Sequence, residues 1–515
     1  MKRRDFLKAS MAGLLAIMTS SNEVFAKMGS KENTKAKGII FIVGDGWPLG
    51  VMKAMSEFME KKFKEKSNLA LLLKKKETRM ALMNTSSLSS VVTDSAPASV
   101  AWATGSKTVN RTLSVLPDGR KLTTIFELAK EKGISCGFVT TTRVTHATPA
   151  AWYSHNKNRD AEEEIAIELL NSGVDVAMGG GDRYFSSKQR KDGEDLYSKF
   201  KVKGYTVIRT REELLNAPVE KPILGIFSPS HISYFVDRLN DEELGRKQPS
   251  LPEMTAFALQ KLSRNPKGFI LQIEAGRIDH ACHSNDAYSA IMDCYELDKT
   301  IGVVMDFVSK NPNVLVILTS DHGNSGFGIN GTGPEYNDAT EALMNYKNRA
   351  SFEYMIKKMK KQDMKTIKEI FEHYTQQSIS EEEVQEIYRH LNEKRKVVVN
   401  DIWYEPDATM GRILRASIYN YEEENVKPPC ILRRGNVGFT STNHTAEDQL
   451  LIVYGKKFSG YELKSFVDNT ELFHLMTSYI GFKYSNPKMT KNEAIQYVRA
   501  LTKEEWEKHL NLHIS

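Results

Sequence analysis

The chain has 515 residues, 40% hydrophobic and 26% charged, enough for one large α/β domain with insertions or for about two to three average domains. Its 71 basic and 65 acidic side chains nearly balance at a formal net charge of +6, and no basic stripe with interleaved aromatics occurs, so no nucleic-acid partner is indicated. The cysteines, Cys136, Cys282, Cys294 and Cys430, lack C-x-x-C spacing, which excludes a zinc knuckle or a disulfide-dense scaffold and leaves room for one or two disulfides.

Residues 1–26 read as a processing signal. Lys2-Arg3-Arg4-Asp5-Phe6-Leu7-Lys8 is a twin-arginine pattern, Met11 to Met18 a short apolar run, and Val24-Phe25-Ala26 a small-residue cleavage site. A run this short does not span a bilayer, so no retained anchor is expected. The mature chain should begin near Lys27, in the periplasm or outside the cell. Next, Gly38 to Val43 is a continuous apolar run, as expected of a central parallel strand buried on both faces. It ends in Gly44-Asp45-Gly46, a carboxylate at the strand end where open α/β sheets place their sites, although an ordinary βα-turn aspartate fits the same pattern. Residues 51–83 look helical and lysine-rich, a solvated face.

The segment Val92 to Gly105 reads as a small-residue helix with Pro97 in its first turn, where a missing N–H costs nothing. Ser95, preceded by the acidic Asp94, then sits at a helix N-terminus among unpaired backbone donors, which suits an alkoxide or the anion that it attacks. Taken in isolation, the Asp-Ser pair fits a plain N-cap equally well. A helix over Lys121 to Lys132 leads to the strand Ser135 to Thr140, which runs into a segment holding His146, Thr148 and Arg159. Helix Ala161 to Leu170 and strands Val174 to Met178 and Ile223 to Phe227 continue the alternation. The triplet Gly179-Gly180-Gly181 lacks the lysine and spacing of a P-loop and reads as a tight turn.

Strand Phe269 to Ile273 delivers Glu274. If the chain coils beyond it, Asp279 and His283 lie four apart on one face, a spacing suited to a metal, with His280 between them. Strand Val314 to Thr319 delivers Ser320-Asp321-His322-Gly323, and His444 precedes the strand Gln449 to Tyr454. Residues 333–433 are charged and helical by pattern, with a capping box at Ser380 to Glu383 opening the helix Val384 to Leu391. They interrupt the α/β alternation and read as an insertion near the mouth of the site, whose trimming should spare hydrolysis of a small ester.

Taken together, V-T-D-S-A-P-A-S-V-A-W-A-T-G at 92–105, G-D-G at 44–46, T-T-T-R-V-T-H-A-T at 140–148, E-A-G-R-I-D-H at 274–280, S-D-H-G at 320–323 and N-H-T-A-E-D at 443–448 resemble the alkaline phosphatases. The resemblance implies an α/β fold with a central, mostly parallel sheet sandwiched between helices, 333–433 being a cap or crown-like insertion. It implies a site with two zinc ions and one magnesium. Asp279, His283 and His444 would hold the first zinc, and Asp321 and His322 with Asp45 the second. Asp45, Thr148 and Glu274 would hold the magnesium. Ser95 would be the nucleophile phosphorylated during turnover, with Asp94 beside it, and Arg159 the fork that grips two phosphoryl oxygens. His146 and His280 stand where some branches of the family carry Asp and Lys and others carry His. Imidazole suits zinc better than magnesium, so zinc should compete at this third site. The expected partners are small phosphomonoesters and a second copy of the chain.

Readings that stay open are a phosphodiesterase or sulfatase of the same superfamily and a non-enzymatic metal- or phosphate-binding protein. Sulfatases of the superfamily need C/S-x-P-x-R, and here Ser99 replaces the arginine. Its diesterases generally carry threonine as nucleophile and lack the equivalent of Arg159.

Overall fold

The computed structural model describes residues 36–331, 335–337, 339–392, 397–399, 402–404, 410–411, 435–456 and 462–498; the signal-like residues 1–26 and Cys430 lie outside them. Its main sheet contains β1 (Lys37–Gly44), β2 (Thr78–Asn84), β3 (Ser135–Arg143), β4 (Val176–Gly180), β5 (Thr206–Ile208), β6 (Ile223–Ile226), β7 (Phe269–Ala275), β8 (Asn313–Thr319), β9 (Gln449–Tyr454) and β10 (Phe466–Asp468). The spatial order is β10-β2-β9-β8-β1-β7-β3-β4-β6-β5. Strand β9 runs antiparallel to β2 and β8, and every other pairing is parallel.

Side-chain alternation along β1 explains why its run is apolar throughout. Ile40 and Ile42 enter the core beneath helices α1 (Leu49–Phe58), α3 (Leu251–Leu262) and α5 (Ala287–Lys310). Ile39, Phe41 and Val43 enter the core on the other face, with α2 (Ser95–Thr104) and α9 (Glu471–Ile480). A parallel strand covered by helices on both faces has no solvent side to keep polar.

Two expectations change. Residues 78–84 form β2 rather than the end of a helix: Ala81 and Met83 are buried, while Met80 and Leu82 between them are exposed. A short apolar run carries no period that separates strand from helix. Cys136, Cys282 and Cys294 are free, buried thiols rather than disulfide partners.

The described part of 333–433 holds the helix Ala339–Met344, then α6 (Phe352–Met359), α7 (Met364–Thr375) and α8 (Glu381–Asn392), and an antiparallel hairpin of Val397–Val399 and Ile402–Tyr404. Phe352, Met355, Met359, Ile367, Phe371, Val384 and Ile387 form a separate small core. The capping box before α8 is present, Ser380 N donating to Glu383 at 2.8 Å and Glu383 N to Ser380 Oγ at 3.2 Å. No described helix is long and apolar enough to cross a membrane.

Candidate active site

Sheet register brings the chemistry to one edge. Val43 stands opposite both Glu274 and Thr319, so Asp45, Glu274 and Asp321 leave neighbouring strands at one level. Because β9 is antiparallel, it begins where the parallel strands end. His444, ahead of β9, therefore reaches the same edge, and His444 and Thr445 pair with Asn324 and Gly323. The Asp45 turn is tightly braced. Gly46 has φ +52, and a Cβ there would lie 2.3 Å from Asp279 Oδ1, so no other residue fits. Its amide donates to Asp321 Oδ1 at 2.9 Å, while the Trp47 amide and indole donate to Ser320 Oγ and Cys294 Sγ, both at 3.0 Å.

Three groups of potential cation ligands result: Asp279, His283 and His444; Asp45, Asp321 and His322; and Asp45, His146 and Glu274. Asp45 belongs to two of them. In the first group the His283 Nδ1–H donates to the Thr442 carbonyl at 2.5 Å, and the His444 Nδ1–H to the Thr93 carbonyl at 2.9 Å. Their Nε2 atoms then face each other 3.0 Å apart, beside Asp279 at 3.3 and 3.5 Å. Two facing lone pairs next to a carboxylate have no hydrogen to share, and a cation resolves the arrangement. Burial and the neighbouring His322 push His444 down to about 3, which keeps it a neutral ligand. At His283 and His322 burial also opposes charge, but Asp279 and Asp321 outweigh it and raise both pKa values, a negative field that a cation would satisfy.

His322 repeats the pattern in the second group, its Nδ1 donating to the Gly323 carbonyl at 3.2 Å. Its Nε2 lies 3.0 Å from Asp321 Oδ2 and 3.7 Å from Asp45 Oδ1, and 3.4 Å from Ser95 Oγ. Burial, then Asp321, Asp279 and Glu274, drive the Asp45 pKa well up. Both Asp45 oxygens, Glu274 Oε1 and Thr148 Oγ1 are buried without a hydrogen-bond partner among the described residues. Buried carboxylates persist when paired or bound to metal, so this donor set fits cations. The Thr148 carbonyl accepts from Gln272 Nε2 at 3.1 Å, on the strand that also carries Glu274.

Ser95 opens α2, whose ten residues are all buried, and Asp94 is the cap. Asp94 accepts from the Ala96 amide at 2.8 Å, the Arg111 amide at 2.6 Å and Arg159 at 2.8 Å. Burial works against its charge, but Arg159 and those amides win and lower its pKa. The cap thus ties the nucleophile candidate to the arginine across 65 residues of chain.

Around the third group arginines hold the imidazoles. Arg159 meets His146 Nε2 at 3.1 Å, Arg277 meets His280 Nδ1 at 2.8 Å, and Arg143 meets His231 Nε2. Guanidinium only donates, so each contacted nitrogen accepts and the ring proton sits on the other one. His146 therefore stands near Glu274, its Nδ1 3.9 Å from Oε1, presenting a proton rather than a lone pair. His280 lies beside this group rather than in it, its ring centroid 5.7 Å from that of His146. His231 was not singled out from the sequence, though its ring centroid is 4.2 Å from that of His280. Nor were Thr140 and Thr142, which donate to Glu274 Oε2, or Glu162, bound to Arg143 at 2.7 Å. The three consecutive threonines at 140–142 were the available signal. Single histidines and glutamates far along the chain offered none.

Cation groups sharing a carboxylate beside a buried serine place the protein among the metal-dependent hydrolases. The chain belongs to the alkaline phosphatase family, whose model matches residues 36–482. It is 28% identical over 474 residues to alkaline phosphatase 4 of Bacillus subtilis (strain 168), covering 88% of this chain and 94% of that one. It is 30% identical over 513 residues to the alkaline phosphatase of Schizosaccharomyces pombe (94% and 90%). The crystal structure of Thermus thermophilus alkaline phosphatase superposes with a TM-score of 0.81 at 36% identity, covering 90% of this chain and 95% of that one. The protein is accordingly an enzyme of a metal-dependent family that hydrolyses phosphate monoesters.

Proposed function

We propose that this enzyme hydrolyses phosphate monoesters through a phosphoserine on Ser95, at a site for two zinc ions and one magnesium. The observation that carries the reading is the contact of Ser95 Oγ with His322 Nε2 at 3.4 Å, which sets the serine that opens α2 against a cation group. Asp279, His283 and His444 would hold one zinc, Asp45, Asp321 and His322 the other, and Asp45, Glu274 and Thr148 the magnesium. When bound, the cations supply Lewis-acid charge to the oxygens of serine, ester and water.

The chain's own groups then divide the work. Ser95 Oγ attacks phosphorus, forming the Oγ–P bond as the bond to the leaving alcohol breaks, and water later cleaves Oγ–P to release inorganic phosphate. Arg159, steadied by Asp94, offers paired donors to non-bridging oxygens, and the amides opening α2 add the helix dipole there. Rapid acid quench with a labelled phosphomonoester should trap label on Ser95 in the wild type and none in Ser95→Ala, whose kcat should fall by at least about 10³-fold. Label on another residue, or an unchanged rate, would defeat the serine assignment.

The same reading takes residues 1–26 as a twin-arginine export signal and 333–433 as a cap-like insertion, with export from the cytoplasm and assembly as a homodimer. Export is tested by the N-terminal sequence of secreted protein, and assembly by sedimentation.

A further inference from the structure

The insertion reaches the third cation group through an ion pair that is buried on its arginine side. The N-terminus of α6 is fixed to the sheet domain at Ser351, whose amide and hydroxyl both donate to Asp237 at 2.7 Å, and at Phe352, whose amide donates to Asp286 at 2.9 Å. One residue further, Glu353 pairs with Arg277 across 76 residues of chain. The Arg277 side chain is only 3% exposed and lies 3.7 Å over the Tyr234 ring. Its other terminal nitrogen donates to His280, next to His146. Arg277 outweighs burial and holds Glu353 down at about 2, so the carboxylate stays charged at any working pH.

We propose that Glu353 is a positioning residue for the third cation site, acting through Arg277 and His280; this rests on the metal reading above. Two effects operate. The carboxylate neutralises a guanidinium that would otherwise repel a dication near His280, and the Arg277 end of the pair is buried, where screening is weak. It also fixes the guanidinium fork, which sets the His280 tautomer. Outer partners of this kind tune metal affinity without touching metal. A deletion of 340–400 would therefore remove a positioning group as well as a cap.

The test is isothermal titration of zinc-loaded enzyme with magnesium alone. Glu353→Gln should weaken magnesium binding by about 10-fold, and Glu353→Asp, with a shorter arm, should show a smaller loss, which keeps the test open should Glu353→Gln not fold. In an Arg277→Met background the effect of Glu353→Gln should vanish, because coupled residues are non-additive. Ser351→Ala, which loosens the same helix start, should lower the unfolding temperature and leave magnesium affinity unchanged. Lys357→Ala, which removes the exposed partner of Glu353 on its solvent side, should change neither. Wild-type affinity in both Glu353 variants, or an equal loss with and without Arg277, would overturn the proposal. Wild-type enzyme that binds no magnesium would instead overturn the metal reading on which it rests.

Discussion

Around Asp279 and Asp321 the imidazoles donate Nδ1–H hydrogen bonds to backbone carbonyls, whereas around the third group they accept hydrogen bonds from arginines. The first arrangement turns Nε2 lone pairs inward, the orientation that a cation such as zinc requires of its ligands. The second leaves the rings as N–H donors, and the acceptors at hand are the oxygens of Asp45, Glu274 and Thr148. Oxygen-only coordination suits magnesium. Counting histidines along the chain leads to zinc competing at the third site. On the proposed reading their hydrogen bonds favour magnesium there, because a nitrogen that carries a proton cannot ligate.

The largest effect that would break this contrast comes from the histidines themselves. His444→Ala removes an inward lone pair, so zinc affinity should drop by more than the roughly 100-fold seen for outer partners, with loss of turnover. His146→Ala should leave zinc content unchanged. Elemental analysis after dialysis reads both, and equal zinc loss in the two variants would erase the distinction.

Next in size, Arg159→Ala should lower kcat/KM for monoesters by about 10²–10³-fold, and less for diesters, which carry less charge. It also releases His146 Nε2, so the third site should gain zinc affinity relative to magnesium. A competition titration that shows no such shift would mean that the arginine does not set the metal preference.

The smallest effect concerns stability where the start of α6 meets Asp237. Burial raises Asp237 to about 7, although the bonds from Ser351 oppose it. An acid whose folded pKa lies above its unfolded value of about 3.9 costs no stability while both states are protonated. Stability then falls as pH rises from about 4 to about 7 and levels off beyond. Asp237→Asn should therefore match wild type near pH 4 and unfold a few degrees higher at pH 8. A constant difference across pH, read by thermal scans, would refute the assignment.

Metal-group members were legible where chemistry sits within a few residues of a strand end. Asp45 closes an apolar run, Asp279 and His283 share a helical turn, and Asp321-His322 follows β8. Local pattern fixes such positions because the sheet must be apolar and its ends must not. β2 and the antiparallel β9 were harder, since pairing partners are chosen by tertiary packing rather than by a short run's own period.

The sequence by itself determined which residues could bind cations, which serine opens a buried helix, and that helices cover both faces of the sheet. Only the tertiary structure decided which ring nitrogen each histidine presents. It also decided that Thr140 and Thr142 hold Glu274, that His231 packs against His280, and that Glu353 reaches Arg277. Several of these contacts join residues 76 to 351 apart in the chain, and partners that distant leave no periodic trace in the sequence between them.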